Sequence, residues 1–117
     1  MGILTDDMRR MVDEQQLGFI ATVCPDGTPN LSAKGTTAAW DDEHLVFADI
    51  CSPGTIANLR HNAVLEINVV DSLLRKGYRF KPKFLLLRAQ RRWFSAAPAP
   101  FVPSRCTHVM IGFCSLA

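Results

Sequence analysis

The sequence predicts a mainly β domain, a β-barrel with short helices. Three observations carry that prediction. Runs rich in β-branched and aromatic residues recur at short intervals, as in Leu17–Cys24, Leu45–Ile50 and Ala63–Val70. Turn-forming clusters such as Pro25-Asp26-Gly27-Thr28-Pro29 separate them. Most connections are too short to hold the crossover helix that parallel strands require, so the strands pair antiparallel. At 117 residues, 48% of them hydrophobic, the chain suffices for one domain around one core.

Taken in order, Leu4 to Gln16 reads as an amphipathic helix. Leu4, Met8, Met11 and Val12 follow a three-to-four spacing, and Asp6 and Asp7 sit at its positive N-terminal end. That periodicity predicts a helix packed on its own domain. Leu17–Cys24 is the first strand. Pro25 to Pro29 closes a hairpin, with Pro at the first corner and Gly27 supplying a positive φ. Asn30 to Thr37 is the returning strand. Trp40 to His44 is a second turn and Leu45 to Ile50 a third strand. Ser52 to Asn62 is a short helix and Ala63 to Val70 a fourth strand. A loop containing Arg75-Lys76-Gly77 leads to a fifth, which begins at Tyr78 to Lys81.

After Lys81 the character changes. Residues 82–117 contain no acid, and Ser95 to Pro103 (SAAPAPFVP) suits the interior of neither helix nor strand. Lys83–Ala89 and Thr107–Phe113 keep strand composition. The chain therefore divides into a barrel core with an N-terminal helix over 1–81 and an atypical C-terminal segment over 82–117 that adds one or two strands. Loss of Asp and Glu with gain of Arg, Ser, Pro and Cys is the composition an out-of-frame reading produces, and it predicts a replaced C-terminus.

The formal charge of +2 hides an asymmetry. All eleven acids lie at or before Asp71, where Arg9, Arg10, Lys34 and Arg60 are the basic residues, giving −7 there and +9 beyond. A basic half interleaved with Tyr78, Phe80, Phe84 and Trp93 has the look of a nucleic-acid surface. The changed C-terminal composition gives that charge another origin, so nucleic acid is not the expected partner. No apolar run reaches the roughly 18–20 residues of a membrane span, and the N-terminus lacks a signal-peptide pattern. A cytoplasmic protein with no membrane partner is expected. Cys24, Cys51, Cys106 and Cys114 form no C-x-x-C pair, so they read as reduced thiols and no metal site is expected.

One constellation points to a ligand. Ser52 is a good N-cap, and Pro53 suits the first helical position. Gly54 leaves room for close approach, and Thr55 offers a hydroxyl. A capping box would place Glu or Gln where Thr55 stands. Without it the helix start keeps open N–H donors and its positive dipole end for an outside anion. Lys34 is the one Lys before Asp71. By the period of two it shares a strand face with Ser32. Gly35, Thr36 and Thr37 follow it, small and hydroxylated. Asn58 lies three residues after Thr55, on the same helix face. Together Lys34, Ser52, Thr55 and Asn58 supply a cation and neutral donors for a phosphate.

The runs PDGTPNLSAKGTT, LVFADICSPGTIANLRHN, AVLEINVVD and RKGYRFK resemble, in order and spacing, the pyridoxamine 5′-phosphate oxidase-like FMN-binding split-barrel family. The match covers about Leu17 to Lys81. The resemblance implies a six-stranded Greek-key split barrel, a homodimer with FMN at the subunit interface, and a small-molecule substrate. It implies a basic contact from Lys34 with Ser32 nearby. It runs the strand end Ala48-Asp49-Ile50 along the flavin ring and sets the turn Ser52, Pro53, Gly54, Thr55 against the phosphate, with Asn58 in support. Oxidase members carry basic residues in that turn. Here it is uncharged, so phosphate binding leans on backbone N–H groups and Lys34. Relatives of this fold also accept deazaflavin or haem.

Flavin brings its own redox chemistry, and the sequence presents no required nucleophile or carboxylate pair. The catalytic residues are unassigned, with His44 and His61 as nominal acid–base groups. Arg75, Lys76 and Arg79 are placed to meet a substrate or the partner's flavin. The expected function is a flavin-dependent oxidoreductase on a small substrate. The alternative is a flavin-binding module for electron transfer or storage.

Overall fold

A computed structural model of the chain describes residues 2–49, 53–88 and 110–115. Thr5 starts the first helix, α1 (Asp6–Gln15), by accepting the Met8 N–H on its hydroxyl at 3.2 Å. Gln16 ends α1 in the left-handed region, at φ 57°, where its N–H returns to the Val12 carbonyl. Leu4, Met11 and Val12 are buried and Met8 packs beside them, as the apolar spacing demands.

The strands are β1 (Gly18–Val23), β2 (Pro29–Lys34), β3 (Ala38–Ala39), β4 (His44–Asp49), β5 (Leu65–Asp71), β6 (Lys76–Phe80), β7 (Lys83–Arg88) and β8 (Met110–Ser115), with α2 (Pro53–His61) between β4 and β5. They form two antiparallel four-stranded sheets, ordered β2-β1-β5-β6 and β3-β4-β8-β7. Short links at Gly35–Thr37 and Lys81-Pro82 carry the chain from one sheet to the other, and an isolated bridge joins Val64 to Lys83. The fold is mainly β, a split barrel left open between its sheets.

The β1–β2 turn follows its chemistry. Gly27 takes φ 86°, and the Asp26 carboxylate accepts both the hydroxyl and the N–H of Thr28. Where one strand was expected from Asn30 to Thr37, the structure has two. The chain turns at Gly35-Thr36, β2 pairs with β1, and Ala38-Ala39 pairs with β4 in the other sheet. This break, with β7 and β8, gives eight strands among the described residues rather than six. Lys76 and Gly77 belong to β6 and not to a loop. The turn before them is held by the Asp71 carboxylate, which accepts the Leu73 and Leu74 N–H groups, and Arg75 takes the positive φ of 54°.

The core joins α1 to the inner faces of both sheets through Ile20, Leu45, Phe47, Ile67, Val69 and Phe80, with Ile56 and Leu59 from α2. Phe80 is buried, and Tyr78 and Phe84 pack on this core, so these rings are not a stacking platform for bases. No described helix is long and apolar enough to cross a membrane. Trp93, Cys51 and Cys106 lie outside the described residues.

Polar groups fasten α1 at both ends. Leu4 N–H donates to the Asp42 carbonyl at 2.8 Å, Arg9 pairs with the Asp42 carboxylate, and Asp13 accepts the Ala39 N–H at 3.1 Å. Across the fold, Lys76, Tyr78 and Arg10 all donate to the Asp7 carboxylate. Lys76 does most to hold that carboxyl well below the ordinary carboxylate range. Its folded value lies below its unfolded one, so the stabilisation is fully present above about pH 4 and is lost as the pH falls further. Urea midpoints compared from pH 7 to pH 3 are expected to show the advantage of the native protein over Asp7→Asn narrowing below pH 4.

Gly18 is fixed by sterics. A Cβ there meets the Thr37 hydroxyl oxygen at 2.5 Å, and Thr37 is itself buried and donates to the Lys34 carbonyl. Gly18→Ala is expected to lower the unfolding free energy by about 1–3 kcal/mol, read from the urea midpoint.

Candidate functional site

The inner face of β2 is polar. Asn30, Ser32 and Lys34 alternate inward, opposite Thr22, Ile20 and Gly18 of β1, while Leu31 and Ala33 are exposed on the outer face. Lys34 is the most enclosed of the three, 4% exposed. Burying an ammonium is costly unless anionic or carbonyl groups face it.

Two threonine hydroxyls tie this face to its neighbours, one to β4 and one to α2. Beyond Lys34, the Thr36 hydroxyl accepts the Ala48 N–H at 2.9 Å and lies 3.4 Å from the Ala48 carbonyl. That ties the Lys34 end of β2 to the end of β4, four residues before α2 begins. At the other end of β2, Thr22 accepts hydrogen bonds from Asn30 Nδ2 at 3.3 Å and from Asn58 Nδ2 at 3.1 Å. Asn30 and Lys34 are about 13 Å apart along the strand. Pro53 precedes Asn58 by about 7.5 Å of helix. Asn30 of β2 and Asn58 of α2 thus meet on one hydroxyl of β1, and the Lys34 end of β2 is tied to β4, the strand that precedes α2 in the chain.

The start of α2 suits an anion. It carries no acid in its first turn, Gly54 is exposed, and a Cβ at Gly54 meets nothing within 4 Å. Ser52, the expected N-cap, lies outside the described residues, and so does Ile50. Pro53 is the first residue of α2. Thr55 and Asn58 share a face, as their spacing demands, but that face turns inward, with Thr55 2% and Asn58 7% exposed. Both amide hydrogens of Asn58 are engaged, one by Thr22 and the other by Cys24 Sγ at 3.6 Å. Asn58 thus supports the helix rather than offering donors to a ligand.

The other candidates divide. Ser32 is half-buried beside Lys34 on the inner face of β2. Ala48 is buried in β4 with its N–H given to Thr36, so it supplies shape and no donor. Asp49 ends β4, opposite Met110 of β8. His44 is bound to the Asp41 carboxylate at 2.7 Å, and His61 is exposed at the end of α2. Lys76 pairs with Asp7, and Arg79 pairs with Glu66 at 2.9 Å, both at the surface. Sequence reasoning missed Thr22, which reads as an ordinary strand residue. Its only signal was its place on the inner face of β1, opposite the polar face of β2. A cleft of about 460 Å³ at Gly2, Arg9, Trp40 and Glu43 lies away from this region, under the start of α1.

The sequence matches the family described as pyridoxamine 5′-phosphate oxidase over residues 4–98. Solved structures share the fold. HupZ of Group A Streptococcus is 23% identical, with a TM-score of 0.76, over 97% of this chain and 90% of that one. HutZ of Vibrio cholerae, a heme storage protein, is 14% identical, with a TM-score of 0.67, over 100% and 92%. A pyridoxamine 5′-phosphate oxidase-related, FMN-binding protein of Nostoc punctiforme is 13% identical, with a TM-score of 0.67, over 92% and 74%. No curated protein sequence matches the chain.

Proposed function

The chain belongs to the pyridoxamine 5′-phosphate oxidase family, and from that premise we propose that it binds FMN, with the flavin phosphate between Lys34 and the start of α2. One observation carries this reading. Lys34 is buried at the end of β2 that Thr36 ties to β4, the strand that precedes α2 in the chain. A phosphate monoester needs a cation and converging neutral donors, and an uncharged helix start together with a buried ammonium would meet that need. Ser32, Ser52, Pro53, Gly54 and Thr55 would line the phosphate end, with Asn58 behind them. Ala48 and Asp49 would face the ring.

When bound, FMN supplies the redox chemistry. The protein's part is to hold the phosphate by charge and backbone N–H groups, and to limit water at the ring with the buried end of β4. A flavin-dependent oxidoreductase acting on a small substrate is the reading this supports. One observation favours the alternative, a binding or storage module. Among the described residues, His44 is bound to the Asp41 carboxylate and His61 is exposed at the end of α2, so neither is a buried acid–base group.

The test is to purify the protein and titrate FMN and riboflavin by flavin fluorescence. FMN is expected to bind more tightly than riboflavin. Lys34→Gln is expected to weaken FMN by about 10–100-fold, the loss of one charge-assisted hydrogen bond, and riboflavin far less. A protein that takes up no FMN overturns the reading. Bleaching and recolouring of the bound flavin with reductant and acceptor pairs separates the oxidoreductase from the module.

A homodimer with the cofactor at the subunit seam is part of the proposal. The outer face of the β2-β1 pair supports it: Leu31 is 67% exposed, beside Pro29, Ala33, Phe19, Ala21 and Val23. An apolar sheet face of this kind is what a partner subunit covers. Leu31→Glu is expected to convert the dimer to the 13.0 kDa monomer in light scattering after gel filtration.

A further inference from the structure

We propose that Thr22 is a positioning residue for the anion end of this site, a role that rests on the FMN reading above. Thr22 is 3% exposed on the inner face of β1. Its hydroxyl oxygen accepts one amide from β2, Asn30 at 3.3 Å, and one from α2, Asn58 at 3.1 Å. A hydroxyl oxygen has two lone pairs, so both are taken. Three elements, β1, β2 and α2, meet on this single atom.

The consequence is mechanical. Ile56 and Leu59 hold α2 on the core by apolar contacts, which have no directional preference. The Asn58–Thr22 bond is directional and fixes the rotation and slide of the helix. Asn58 stands about 7.5 Å along the axis from Pro53, so the helix acts as a stiff lever between the latch and the N–H groups at its start. Those groups must converge with Lys34 on one anion, and small misplacements cost binding. Replacing the hydroxyl by a methyl group leaves the packing volume almost unchanged. It also strips the Asn58 amide of its strong acceptor, and leaves the weak sulfur of Cys24 at 3.6 Å. The buried amide then draws in water or turns away, and the helix start moves relative to Lys34.

The experiment compares wild type, Thr22→Val, Thr22→Ser and Thr22→Ala by titration with FMN and with riboflavin, and by amide hydrogen exchange over residues 57–61. Thr22→Val is expected to weaken FMN about tenfold and riboflavin less than twofold, and Thr22→Ser to restore FMN to within about twofold. A residue of merely structural importance weakens both flavins alike, so an unchanged FMN-to-riboflavin ratio overturns the proposal. Should wild type take up neither flavin, the FMN reading fails on its own, and Thr22 is judged by exchange. Exchange over residues 57–61 about tenfold faster in Thr22→Val and recovered in Thr22→Ser supports the latch, and equal exchange overturns it. Thr22→Ala carries the same comparisons if Thr22→Val does not fold.

Discussion

The rest of the structure is arranged around one inversion, a strand that turns its polar residues inward. A half-buried strand ordinarily buries its apolar residues and wets its polar ones. β2 does the reverse, with Asn30, Ser32 and Lys34 inside and Leu31 and Ala33 outside. Polar groups placed inside must find partners, and the fold supplies them locally. Thr22 takes the Asn30 amide, Thr37 takes the Lys34 carbonyl, and Thr36 closes the strand end onto Ala48. The apolar residues placed outside form an exposed apolar face. The proposed cofactor end and the proposed subunit seam are thus two sides of the same strand.

The charge asymmetry of the sequence resolves in the same structural terms. Read along the chain, an acidic first part and a basic second part suggest an external polyanion. Folded, the two parts meet. Asp7 of α1 gathers Lys76 and Tyr78 of β6, and Glu66 of β5 gathers Arg79 of β6. Exposed pairs of this kind add little stability each, but they join acidic and basic parts of the chain. The bonds to Asp7 also clip α1 across the sheet whose inner face it helps to cover. Lys34, a buried cation, lies in the acidic part of the sequence.

Much of this was legible in the sequence because it is local. Gly27 announces its turn, the spacing of Leu4, Met8, Met11 and Val12 announces α1, and the β-rich runs announce their strands. Other features depend on tertiary context. Nothing between Asn30 and Thr37 forbids one long strand. The break at Gly35-Thr36 arises because Ala38 and Ala39 pair with β4 while β2 pairs with β1. The spacing of Thr55 and Asn58 placed them on one face correctly, but not which way that face turns. Ile56 and Leu59 follow the same three-residue spacing one step on, and burying them draws Thr55 and Asn58 inward alongside. Thr22 was invisible for a similar reason, since its importance lies in two amides from distant parts of the chain.

That inward turn changes how recognition at the helix start has to operate. With Thr55 buried and the Asn58 hydrogens committed, the side chains of α2 contribute shape and support rather than donors. In the proposed site an anion would meet the backbone N–H groups beside exposed Gly54 and the charge of Lys34. Backbone donors cannot adjust by changing rotamer. Their strength depends on where the whole helix lies, unlike a basic side chain, which reaches for its ligand. A site built this way depends on how accurately the helix is docked, and the directional bond that docks it here runs from Asn58 to the hydroxyl group of Thr22.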